Sequence, residues 1–258
     1  MRPEQPSATA RGAAAHRAAH QVLEGGAVFS DPLADALLDQ TKEEIAAAAR
    51  EEPALEPMRL FVAKRARVAE DALARAFARG VRQAVVLGAG LDTFGLRNPH
   101  DGLQVFEVDH PATQAWKRER IDSAGLEIPR TLRFAPIDFE RQALGEALGA
   151  AGFHEERAAF FTWLGVVPYL TREAIEATLA FIGSLENSEV VLDYGEPLDD
   201  LPAERRPLAR ELAERVADAG EPLTSHFKPS EMAALLERHG FTELDDSGFR
   251  LHVLHARR

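Results

Sequence analysis

Apolar positions along the chain change their period near residue 80. Before it they recur at three- and four-residue spacings; after it they come in short unbroken runs. Residues 13–23 are Ala-rich. Asp31 followed by Pro32 reads as an N-cap with proline at the first helical position, and Leu33, Leu37 and Leu38 then share one face. Met58, Phe61, Val62, Val68, Leu73 and Phe77 repeat at helical spacing up to Gly80, a C-terminal stop. Residues 1–80 therefore read as a helical cap that packs on a sheet and lends some residues to closing a ligand site.

From residue 83 the runs are strand-like. They are Ala84-Val85-Val86-Leu87, Val105-Phe106-Glu107-Val108, and the segments 132–137, 159–164 and 190–194. Gly, Pro and Asp bound them, and helical stretches at 113–124, 141–150 and 172–184 separate them. Strands alternating with helices indicate parallel βαβ units with right-handed crossovers. Two further helices are expected at 203–219 and 229–239, then strands at 241–246 and 249–255 joined by Ser247-Gly248 as a hairpin. The prediction is an α/β fold. Residues 81–258 form a Rossmann-like, seven-stranded, mostly parallel sheet with an antiparallel C-terminal hairpin, and make one structural unit with the N-terminal helical layer.

Composition narrows the function. The chain has 258 residues, 45% hydrophobic and 28% charged, the proportions of a globular domain rather than a disordered one. It contains no cysteine, which excludes disulfides, thiolate metal sites and a cysteine nucleophile. A formal net charge of −12 argues against nucleic acid as the partner, because that affinity comes from neutralising phosphates. No run of 18 apolar residues is present, and the N-terminal residues lack the apolar core of a secretory signal. The expectation is a cytoplasmic protein with a small-molecule partner and no membrane attachment. No His-Glu-x-x-His or similar ligand set points to a metal.

Four motifs carry candidate chemistry. In Val86-Leu87-Gly88-Ala89-Gly90-Leu91-Asp92-Thr93 a strand ends in Gly-x-Gly, which allows a tight turn and close approach of a nucleotide-like ligand. A dinucleotide site would want a third glycine at Thr93, and Asp92 would repel a pyrophosphate, so the ligand is expected to carry a positive centre. About 20 residues beyond Gly88, Glu107 and Asp109 end the next strand, where a carboxylate can accept both hydroxyls of a ribose. The pairing identifies a ribose and leaves the cofactor open. Asp138 and Phe139 follow the third strand and suit an adenine, Asp138 accepting from its amine; Asp138 serves equally as the N-cap of the next helix. Trp163, Gly165 and Tyr169 lie where the fourth strand ends, beside the switch point of an open sheet, or they simply pack on the following helix.

With these motifs together the chain resembles the leucine carboxyl methyltransferase family, and within it the bacterial S-adenosylmethionine-dependent methyltransferases. The resemblance rests on Arg17-Ala18-Ala19-His20, Asp31-Pro32-Leu33-Ala34, Val62-Ala63-Lys64-Arg65-Ala66-Arg67, Leu87 to Thr93, Phe106-Glu107-Val108-Asp109-His110-Pro111, Asp138-Phe139 and the segment from Gly165 to Thr171. It runs from about Arg17 to about His255. It implies a class I methyltransferase fold and S-adenosyl-L-methionine as cofactor. It also implies that Gly88 contacts the methionine part, that Asp109 binds the ribose, and that Asp138 and Phe139 hold the adenine. Arg65 is implied to hold the cofactor carboxylate, a match for a guanidinium fork; Arg59 and Arg67 compete with it. The chain departs from the eukaryotic members at Leu164, where they have a glutamate facing the amino end of the cofactor. The ammonium here needs another acceptor, with a backbone carbonyl near Gly88 one candidate.

Transfer of a methyl group to oxygen needs near-attack geometry, and a hydroxyl acceptor also needs a base. His226 and His110 are candidate bases, and Tyr169 and Tyr194 candidate positioning hydroxyls. The segment 196–202 is a candidate substrate lid or a plain surface loop. O-methylation of a small-molecule carboxylate or hydroxyl is the leading expectation. An NAD-dependent oxidoreductase and a non-catalytic cofactor-binding relative are the alternatives.

Overall fold

Continuous apolar runs bury strands on both faces, and five of them build the parallel half of the sheet. A computed structural model describes residues 7–139, 141–246 and 252–258 of the chain. The strands are β1 (Gln83–Leu87), β2 (Gln104–Asp109), β3 (Leu132–Pro136), β4 (Ala159–Trp163) and β5 (Glu189–Tyr194). β1 and β5 are buried at every position, whereas the edge strand β3 is partly exposed. β6 (Glu243–Asp246) and β7 (His252–Arg257) complete a seven-stranded sheet in the order β3-β2-β1-β4-β5-β7-β6. β7 runs antiparallel between β5 and β6. The dinucleotide-binding arrangement places six parallel strands in the order 3-2-1-4-5-6, so this inserted antiparallel strand separates the sheet from that class.

One apolar layer covers each face. Phe106, Phe161, Trp163, Ile175 and Leu192 belong to the larger, against α6 (Leu144–Ala150), α7 (Arg172–Ser184) and α9 (Pro229–Arg238). Phe61, Leu73, Val86, Val105 and Phe160 form the other, to which α3 (Glu56–Ala78) contributes its apolar stripe. α1 (Ala8–Leu23) lies on α3 and on α2 (Lys42–Glu51), and Ala14, Ala18, Leu37 and Leu91 fill the space beneath. α4 (Phe94–Arg97) follows the β1 turn, α5 (Pro111–Ser123) follows β2, and α8 (Arg206–Asp218) precedes α9. None of the described helices is long and apolar enough to cross a membrane.

Two local expectations differ from the structure. Asp31-Pro32 starts a series of turns rather than a helix: Leu33 N–H bonds the Asp31 carboxylate, and Ala34, Ala36 and Leu38 each bond three residues back. The second Asp31 oxygen is drawn to Thr93 Oγ1, 2.7 Å away, and the acid is fully buried. α2 was not expected, although Thr41 and Glu44 cap it reciprocally, a pattern readable in the sequence. Residues 196–202 make only a 3-10 turn at Leu198–Asp200. The expected hairpin residues Ser247, Gly248 and Phe249 lie outside the described residues.

Candidate functional site

At the carboxyl edge of the sheet, β1 and β4 send their chains to opposite sides, and a cavity of about 1070 Å³ opens there. Gly88, Ala89 and Gly90 form its floor. Gly88 has φ +62, and a β-carbon on it would collide with the Val166 side chain, so glycine alone permits this turn. Gly90 N–H donates to Asp109 Oδ2 at 2.5 Å and His110 N–H donates to Oδ1 at 2.6 Å. Burial raises the Asp109 pKa above its ordinary value, and these two donors oppose the rise. Asp138 and Phe139 border the cavity just beyond β3.

α3 aims Arg65 into the same space. Its Nη1 lies 2.8 Å from Asp193 Oδ2, and Asp193 Oδ1 accepts from Gly165 N–H at 2.5 Å. Gly165 has φ +71, and the Arg65 guanidinium sits where a β-carbon would be. The competing arginines are placed elsewhere. Arg59 is held by both oxygens of Glu24, and Arg67 is exposed and paired with Asp71. Of the three, Arg65 borders the large cavity.

Two expected ligand residues turn away from it. Glu107 points to Lys117, with Nζ 2.5 Å from Oε2 and both side chains 1% exposed. Burial pushes the Glu107 carboxyl up to about 7 against the pull of Lys117. Alternation gave Glu107 and Asp109 one orientation, but α5 delivers a lysine to the first and not the second. Trp163 is fully buried in the core beside Phe161, because β4 turns it toward the opposite layer from its neighbour Leu164. Asp92 borders the cavity, yet its carboxylate accepts from Phe94 N–H. Burial would raise its pKa, but Arg17, Lys117 and Arg97 hold it below its ordinary value. Its charge is thus already offset within the protein. Asp138 does not cap α6, whose N-cap is Ala143. His110 borders the cavity but spends Nδ1 capping α5 at Ala112 N–H. His226, Tyr169 and Tyr194 do line it. Burial keeps His226 below and both tyrosines above their ordinary pKa values.

Much of the rest of the cavity lining is apolar, and sequence reasoning missed most of it. Leu55, Met58 and Phe61 line it together with Leu212 and Val216 of α8. The four-residue spacing of Leu208, Leu212 and Val216 was the available signal. His16 of α1 also borders it, with its pKa pushed down to about 4 by burial and by Arg65, Arg59 and Arg215. Glu221 also lines the cavity and holds the start of α1: its carboxylate accepts from the Ala8 N–H at 3.0 Å, the Thr9 N–H at 2.9 Å and the Ser7 hydroxyl at 3.1 Å. Among the described residues no cluster of three or more His, Asp or Glu is placed to hold a metal ion.

The sheet order with its inserted antiparallel strand, and a cavity over the first two strand ends, define a class I methyltransferase fold. A solved O-methyltransferase family protein from Burkholderia thailandensis shares that fold, with a TM-score of 0.51 at 12% identity, over 81% of this chain and 62% of its own. The leucine carboxyl methyltransferase sequence profile matches residues 10–183, and the chain belongs to that family. A Bacillus subtilis (strain 168) protein named "Putative S-adenosyl-L-methionine-dependent methyltransferase YktD" is 37% identical over 180 residues, 68% of this chain and 59% of that protein. A Mycobacterium sp. (strain JLS) protein bearing the same description is 30% identical over 222 residues, 84% of this chain and 71% of its own length. The chain thus spans about three-fifths of the first of these relatives.

Proposed function

We propose that the chain is an S-adenosyl-L-methionine-dependent methyltransferase that methylates oxygen on a small-molecule carboxylate or hydroxyl. The observation that carries this reading is one cavity lined both by the Gly88–Gly90 turn, Asp109 and Arg65 and by a set of apolar side chains. Those residues fit an adenosyl amino acid. Asp109 accepts the ribose hydroxyls, Asp138 and Phe139 take the adenine, Arg65 pairs with the carboxylate, and the Cβ-free face of Gly88 admits the chain between them. At about 1070 Å³ the cavity exceeds the roughly 300–1,000 Å³ of ordinary small-molecule pockets, so an acceptor fits beside the cofactor.

Bound there, the cofactor would supply an electrophilic methyl carbon on a sulfonium, with the neutral thioether as the leaving group. The protein's part is to hold the acceptor oxygen in near-attack geometry, exclude water with the apolar side chains, and accept a proton where the acceptor is a hydroxyl. His226, neutral at pH 7 because burial lowers its pKa, is the base of this proposal, and Tyr169 positions the acceptor. The helices of residues 1–80 act as the cap over residues 81–258. The relatives' printed descriptions support the cofactor, and the inserted β7 argues against a dinucleotide.

Isothermal titration with S-adenosylhomocysteine, and with NAD in parallel, tests the cofactor. Micromolar binding of the first alone is expected, and binding of NAD alone would overturn the reading. Transfer of a radiolabelled methyl group to a panel of aromatic acids and phenols then tests the acceptor class; products labelled only on nitrogen or carbon would refute O-methylation.

A further inference from the structure

Among the described residues five carboxylates border the cavity, and four are accounted for. The charges of Arg17, Lys117 and Arg97 offset Asp92, whose carboxylate accepts from Phe94 N–H. Glu221 is saturated by the first turn of α1. Asp109 and Asp138 stand at the ends of β2 and β3, the ribose and adenine side of the site. The fifth is Asp193, at the carboxyl end of β5, with a side chain 7% exposed and only two of its lone-pair positions in described hydrogen bonds.

Its surroundings fix what it meets. Val166 lies against Gly88, Gly165 precedes Val166, and Gly165 is covered by Arg65, which pairs with Asp193. The floor glycine, the guanidinium and the carboxylate are therefore contiguous. Arg65 makes one hydrogen bond among the described residues, so most of its five donors stay available. Leu164, on the same stretch, brings no charge. An ion pair at the edge of a cavity offers a zwitterion both complementary charges at once, each in a poorly hydrated setting where charge-assisted bonds are strong.

We infer that Asp193 binds the α-ammonium group of the cofactor's amino-acid end, opposite Arg65 on the α-carboxylate. The inference rests on the methyltransferase reading above and adds a residue to its site. Asp193 thus does two things: it fixes the Arg65 fork and supplies the negative charge that Leu164 lacks.

The test is calorimetry of the full chain and its Asp193→Asn variant with three ligands. They are S-adenosylhomocysteine, 5′-deoxy-5′-(3-aminopropylthio)adenosine, which lacks the carboxylate, and 4-(5′-adenosylthio)butanoate, which lacks the amine. Asparagine keeps the shape and the oxygen that accepts from Gly165 N–H. The expected result is a loss of about tenfold or more for the carboxylate-free amine in the variant, larger than the loss that the butanoate shows through the loosened Arg65. A loss confined to the carboxylate-bearing ligands would show that Asp193 only holds Arg65, and would overturn the assignment. An equal loss for all three would overturn it as well. Should the variant fail to fold, the unsubstituted protein still decides: binding the butanoate as tightly as S-adenosylhomocysteine rules out any anion at the amine, whereas a tenfold preference for the latter supports one. Failure of the unsubstituted protein to bind any of the three refutes the methyltransferase reading itself, and the assignment with it.

Discussion

The Arg65 guanidinium occupies the space that a β-carbon on Gly165 would fill, its Nη2 2.7 Å from that point. The glycine is thus a seat for the arginine as well as a turn. Gly165→Ala is expected to displace Arg65 and weaken S-adenosylhomocysteine about tenfold. It should also cost about 1–2 kcal/mol of stability, since φ is +71. Calorimetry and thermal unfolding of the variant check both numbers.

Asp109 joins the Gly-rich turn to the end of β2, with Gly90 and His110 donating to it. Asp109→Ala should abolish binding of S-adenosylhomocysteine while the fold persists, because the ribose loses a charged acceptor worth about 1.5–3 kcal/mol per hydrogen bond. Unchanged affinity together with an unchanged circular dichroism spectrum would refute the ribose role.

His16 gives the protein an acid-sensitive component. Its pKa is pushed down to about 4 in the folded chain from an ordinary 6.5. Between those values the unfolded chain binds the proton and the folded chain does not, so stability falls as pH drops from about 6.5 to 4 and levels off below. The shift corresponds to about 3 kcal/mol at most. His16→Gln should flatten that part of the melting temperature against pH, with little change at pH 8. Parallel curves for the two proteins would exclude His16 as the source.

Glu221 places a negative charge on the N-terminus of α1, where unpaired N–H groups and the helix dipole favour it. Glu221→Ala is expected to cost about 1 kcal/mol. It should also speed limited proteolysis within α1, while Glu221→Asp restores part of the protection. An unchanged cleavage rate would show that α1 is held without this contact.

Local chemistry was readable in the sequence, and partners supplied from distant segments were not. The Gly88–Gly90 turn and Asp109 could be named because a strand, a turn and the next strand end all fall within about twenty residues. Glu107 has the same strand geometry as Asp109, and only the arrival of Lys117 from α5 tells them apart. Trp163 was drawn to the site by its position at a strand end, whereas the alternation along β4 sends it into the core and its neighbour Leu164 to the other layer. The fold class emerged from strand order along the chain. The Asp31 helix did not form because the carboxylate expected to cap it also serves Thr93, Arg17 and Arg97. Asp193 stands 128 residues from Arg65, and no spacing rule links them. His16 was hidden for the same reason, because the arginines that shift it come from segments far along the chain.

The placement of β7 also has a bearing on synthesis. β6 is made before β7, yet in the sheet β7 lies between β6 and β5. A nascent chain halted just short of His252 therefore has two strands waiting and no strand to join them. The outer edge of β5, rich in valine and leucine, is then open to pairing with another chain. Slow elongation between β6 and β7 should therefore raise aggregation, because it prolongs the time for which that edge stays open.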